Sequence, residues 1–156
     1  MRQFLRGALR PRVAACAVLT VAVLAAPAQA RPGTMHLTGG GTATFSQLAV
    51  NVVINPSGSA SGSFECLMAG RSAFVLPPFG LAHSMIVHAT PTAASVAGSV
   101  VTFTGPGRLT MDGTQKVDPI HVSVTVDVAA QSFELTVVEV GPMGPEQMLS
   151  GKLALR

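Results

Sequence analysis

Residues 38–68, TGGGTATFSQLAVNVVINPSGSASGSFECLM, decide the fold. Between 48 and 54, Leu48, Val50, Val52 and Ile54 fall on one side and Asn51 on the other. A period of two sends successive side chains to opposite faces, so this is a strand with one buried face. Asn55-Pro56-Ser57-Gly58 then forms a turn: Pro56 presets φ for the second position, and Gly58 accepts a positive φ. The return strand alternates again, with Ala60, Gly62, Phe64 and Cys66 inward and Ser59, Ser61, Ser63 and Glu65 outward. The whole stretch reads as a β-hairpin. Ahead of it, residues 35–38 read as a short first strand that stops at Gly39-Gly40-Gly41, a hinge or bulge. No Lys-Ser/Thr pair follows those glycines, so they do not form a phosphate loop.

The pattern continues downstream. Residues 83–90 (HSMIVHAT) read as a strand with Ser84, Ile86 and His88 opposite His83, Met85 and Val87. Residues 98–105 (GSVVTFTG) and 108–111 read as two strands parted by Gly105-Pro106-Gly107, and Asp112-Gly113 is a hairpin turn. Residues 120–128 (IHVSVTVDV) turn Val122, Val124, Val126 and Val128 inward. Residues 133–140 (FELTVVEV) follow, then a rigid loop at 141–145 and a closing strand within 149–155. Pro77-Pro78 confines the segment around 72–80 to an edge or a loop. Short strands at spacings of about 8–12 residues, without helical periodicity, predict an all-β fold. The expected architecture is a single antiparallel domain of about eight strands, an up-and-down barrel or sandwich, behind a signal-peptide helix. An outer-membrane barrel would need aromatic girdles, and the chain has no Trp and no Tyr.

Residues 1–30 have the three parts of a secretory signal peptide. Arg2, Arg6, Arg10 and Arg12 are the basic region, 13–26 the apolar run, and Ala28-Gln29-Ala30 the small-x-small cleavage site. The apolar run is shorter than the roughly 20 residues of a membrane span. Cys16 sits in a sequence loosely like a lipoprotein box, but the apolar run follows the cysteine instead of preceding it. The division expected is therefore 1–30 leader and 31–156 β domain, exported to the periplasm or beyond. Four of the 10 basic residues lie in the leader; 6 basic and 7 acidic residues follow, a formal charge of −1. That balance argues against a nucleic-acid partner or an anionic membrane surface, and no membrane insertion is expected after leader removal. Cys66 becomes the only cysteine after position 30, and its inward phase beside Phe64 predicts a buried thiol.

Catalytic chemistry is not legible. His83 and His88 fall on opposite faces, and His36 and His121 have no acidic or cysteine neighbour at ligand spacing, so no metal and no cofactor is expected. His121 and Asp127 share a face about 20 Å apart, beyond contact. Gly58-Ser59-Ala60-Ser61-Gly62 has Ala60 where a nucleophile elbow needs serine. The seven acidic residues do not pair at a spacing suited to flanking a scissile bond. Asp118-Pro119 reads as an extended or turn dipeptide. Met68, Met85, Phe74 and Phe103 are candidates for the lining of an apolar pocket, against the simpler reading that methionine plugs core gaps.

The order of GGGTATF, INPSGSASGSFEC, Val87-His88, TFTGPGRL, IHVSVTV, SFELTVVEVG and LSGKLAL resembles uncharacterised secreted bacterial β-modules of the post-COAP-like domain family. The resemblance spans nearly all of 31–156 and implies the β fold and an exported bacterial protein. It also implies an acidic, glycine-containing loop before the FELTV strand, where this chain has Val128-Ala129-Ala130-Gln131-Ser132. The family has no established activity to transfer. The functional expectation is a non-enzymatic structural, adhesive or binding module at or outside the envelope. A small calyx holding an apolar ligand is the alternative, and a hydrolase the third.

Overall fold

A computed structural model describes residues 33–68, 74–75, 82–112 and 115–156, with backbone alone at 74, 75, 82, 83 and 115. Residues 1–30, with the expected cleavage positions Ala28 and Ala30, lie outside the described residues, as does the Phe74 side chain. Twelve strands follow one another: β1 (Met35–Thr42), β2 (Gln47–Ile54), β3 (Ala60–Met68), β4 (Phe74–Val75), β5 (Ala82–His83) and β6 (Met85–Ala89) in the first half. β7 (Ala93–Ala97), β8 (Val100–Met111), β9 (Gln115–Asp127), β10 (Ser132–Val137), β11 (Gly141–Gln147) and β12 (Lys152–Leu155) make up the second. No described residue is helical.

One antiparallel sheet runs β11-β10-β9-β8-β6-β3-β2-β1-β12, with β7 paired to β8, and curls into a half-barrel; β4 and β5 form a separate pair. The 55–58 turn closes the β2–β3 hairpin as its residues dictate, with the Gly58 N–H donating to the Asn55 carbonyl at 2.9 Å and Gly58 at φ +83°. Inward positions keep their phase from strand to strand. Val50, Val52, Phe64, Cys66, Val87, Phe103, Val122, Val124, Phe133 and Leu135 all join one buried core. Phe64 is its hub, meeting Phe103 edge-on at 5.6 Å between ring centroids and Phe133 at 6.5 Å. Each fully buried Val, Leu or Phe contributes roughly 1.5–3 kcal/mol, and this core replaces the missing Trp and Tyr with many such residues.

Three local readings change. β1 does not stop at the glycines but runs through them, because β2 and β12 approach its backbone closely on both sides. Gly105-Pro106-Gly107 does not divide two strands: β8 is continuous and pairs with β7 through its first half and with β6 through its second. The break belongs instead to its neighbours, at Thr90-Pro91-Thr92 between β6 and β7, where Pro91 has no N–H for a ladder. Residues 141–145 are no loop; they are most of β11, an edge strand, where prolines are tolerated.

The two ends of the sheet path are joined at one end of the half-barrel. Ala43 bridges Met148, and Leu149 N–H donates to the Thr42 carbonyl at 2.8 Å. Gln131 completes the join with its side chain. Its Oε1 accepts the Leu153 N–H at 2.9 Å while its Nε2 donates to the Leu153 carbonyl at 2.9 Å. A carboxamide offers one acceptor and two donors, so here it imitates a paired strand residue on the outer edge of β12.

Candidate functional site

The outward face carries serines, threonines and small residues together with Val53, Leu67 and Ile86, and a row of ionisable groups crosses its middle. Glu65 on β3 opposes His88 on β6, and His88 opposes Arg108 on β8. Beyond Arg108 the ladder slips: Gly107 pairs with Ile120, but Leu109 pairs with Val117. Two residues of β9, Asp118 and Pro119, therefore face the single Arg108, which is a β-bulge. The bulge exposes both Asp118 and Pro119 and continues the row across a fourth strand.

These side chains line an open groove of about 590 Å³, with Asn51, Ser63, Ala49, Thr90 and Pro106 along its margins. That volume lies within the usual range of small-molecule sites, about 300–1,000 Å³. Glu65 Oε2 lies 3.2 Å from His88 Nδ1. Arg108 and Asp118 have no hydrogen bond or ion pair among the described residues. Among those residues no three His, Cys, Asp or Glu side chains gather as a metal site.

Three of the residues expected to line an apolar pocket lie on the opposite face. Met68, Met85 and Phe103 are 0, 0 and 1% exposed and are packed into the continuous core. Cys66 is buried, as its phase implies. His121, which has no acidic residue at ligand spacing in the sequence, meets one across the turn after β10: its Nδ1 lies 2.7 Å from Glu139 Oε1. The groove was hidden from the sequence because Glu65, His88, Arg108 and Asp118 are far apart in the chain. Register alone unites them. The usable signal was the outward phase of Glu65 and His88 and the Asp-Pro pair, which favours a bulge in a strand.

Two carboxylates tie down turns instead of serving the groove. The Ala130 N–H, the Ser99 hydroxyl and the Ala129 N–H hold Asp127 below its ordinary pKa, burial opposing them. The His121 backbone N–H and then its ring do the same for Glu139. A depressed folded-state pKa means that the unfolded chain binds the proton more readily. The stability from these contacts is present above the unfolded values of 3.8 and 4.5 and is lost as pH falls through the lower folded values. Urea midpoints are therefore expected to drop at acid pH, and Asp127→Asn to flatten part of that drop. An Asp127→Asn profile that superimposes on the parent would refute the assignment.

Fold and groove together define a curled antiparallel β-domain with a polar groove on its outward face. In comparisons with known proteins, no family model, no curated protein and no solved structure matches the chain.

Proposed function

We propose that the chain is an exported, non-catalytic β-domain that acts as a binding or adhesive module at or outside the cell envelope, with the groove over β3, β6, β8 and β9 as its ligand face. The leader-like residues 1–30 support export, and the likeness to post-COAP-like bacterial modules agrees with it. The observation that carries the binding role is the gathering of Glu65, His88, Arg108 and Asp118 around one open groove. A sheet surface holds ligands well and reacts with them poorly, since its backbone N–H groups are committed to ladders and are not free to stabilise an oxyanion. The interior is filled by Phe64, Phe103 and their neighbours, so no observation favours the apolar calyx.

The test uses mature protein recovered from its host, whose first residue is expected to be Arg31. Amide resonances of Glu65, His88 and Arg108 are expected to shift when envelope-derived saccharide or peptide fragments are added. Silence at the groove with every fragment, or hydrolase turnover that disappears in His88→Ala, overturns the proposal.

A further inference from the structure

The groove combines two opposite charges that ignore each other. Neighbouring strands lie about 4.8 Å apart, so Arg108 and the bulged Asp118 stand side by side. Even so, their side chains form no ion pair among the described residues. Glu65 is different, since His88 already engages it. The groove thus presents one available cation and one available anion, with Asn51 and Ser63 as further hydrogen-bonding groups on β2 and β3.

We propose that the groove takes a zwitterion of amino-acid or short-peptide type, its carboxylate on Arg108 and its ammonium on Asp118; this rests on the groove being the ligand face. A guanidinium presents a planar fork that matches a carboxylate through two parallel N–H bonds. A carboxylate accepts from an ammonium, which has three donors and no acceptor. Other ligand classes fit less well. A phosphate on Arg108 would lie against the like charges of Asp118 and Glu65, and a simple cation on Asp118 would lie against Arg108. Nucleobases and sugar rings are usually held on aromatic faces, and of the groove's two residues with an aromatic ring Phe64 is buried in the core, which leaves only the imidazole of His88. A ligand carrying both signs satisfies both groups at once.

The experiment titrates the mature protein, isotope-labelled in its host, with glycylglycine, its N-acetylated form, its C-amidated form, inorganic phosphate and maltotriose. Glycylglycine is expected to shift the groove amides saturably, and either cap to weaken binding about tenfold, the loss of one charged hydrogen-bonding pair. Arg108→Gln and Asp118→Asn are each expected to cost a similar factor. The Arg108→Gln penalty should vanish for the C-amidated peptide, and the Asp118→Asn penalty for the N-acetylated one. A merely structural role for either residue would not give that selective loss. Equal binding of capped and uncapped peptide overturns the zwitterion while leaving the groove as ligand face. So does binding of phosphate or maltotriose there without glycylglycine. If none of the five probes moves a groove resonance, both readings fall.

Discussion

Glu146→Ala is expected to destabilise the domain by about 3–5 kcal/mol, far more than a typical surface change. Glu146 belongs to the edge strand β11 yet is only 1% exposed. Its Oε2 accepts the Phe45 N–H at 2.8 Å, and the Ser46 hydroxyl reaches both carboxyl oxygens, at 3.0 and 2.9 Å. Phe45 and Ser46 sit in the connection between β1 and β2, so this carboxyl latches β11 to the other end of the sheet path. Ser46 is also a neighbour of Cys66. Burial pushes the Cys66 thiol up to about 12, with the Ser46 bond opposing and the Glu146 charge adding to the rise. At neutral pH the thiol therefore keeps its proton.

Truncating Glu146 orphans the Phe45 N–H and the Ser46 hydroxyl together, each costing about 1–3 kcal/mol, and leaves a hole in the joint. Glu146→Gln retains one carbonyl acceptor and is expected to cost about half as much. Cys66→Ser, whose hydroxyl finds the same Ser46 partner, is expected to be milder than burial of an unpaired hydroxyl. Urea unfolding at pH 7 checks all three. Glu146→Ala within 1 kcal/mol of the parent would mean that the latch is open in solution.

What the sequence disclosed follows from how local each feature is. The β2–β3 hairpin was readable because Val50, Val52, Phe64 and Cys66 alternate with polar residues and Pro56-Gly58 punctuate them. The same logic found β9 and β10. It failed where the cause lay on another strand. Gly105-Pro106-Gly107 looks like a break until β8 is seen to pair with two successive neighbours. Pro142 and Pro145 look like a loop until β11 is placed at an edge. β7 is mostly alanine and serine, with little strand propensity, and is held by its pairing to β8. Glu146 carries no sign of burial in its own neighbourhood, since its partners lie about a hundred positions earlier. The groove is legible in the same partial way: the phase of Glu65 and His88 is local, whereas their meeting with Arg108 and Asp118 depends on register and on the bulge.

Gly41→Ala is the second large effect, at about 3 kcal/mol or more. A hinge needs glycine for freedom; a crowded ladder needs it for lack of bulk. The contacts of the glycine run point to crowding. A Cβ on Gly39 would meet the Lys152 carbonyl oxygen at 2.2 Å, and one on Gly40 the Leu48 carbonyl oxygen at 2.7 Å. At Gly41, with φ +148°, the clash is with the Ser150 oxygen at 2.1 Å and with Gly151 Cα at 2.9 Å. Gly151, at φ +84°, returns the same contact on Gly40 oxygen and Gly41 Cα. All of these neighbours are backbone, so none can swing aside as a side chain would.

The control is Gly33→Ala. Gly33 also has a positive φ, +136°, but nothing lies within 4 Å of its added carbon. It therefore measures conformational strain without the clash, about 1–2 kcal/mol. An excess in Gly41→Ala over Gly33→Ala is then the cost of parting β1 from β12, the seam at which the sheet path ends. Hydrogen exchange should locate that excess at Lys152–Leu155, since parting the strands opens those amides first. Equal losses in the two variants, with β12 protection unchanged, would mean that the strands separate freely at the glycines, and the hinge would be restored.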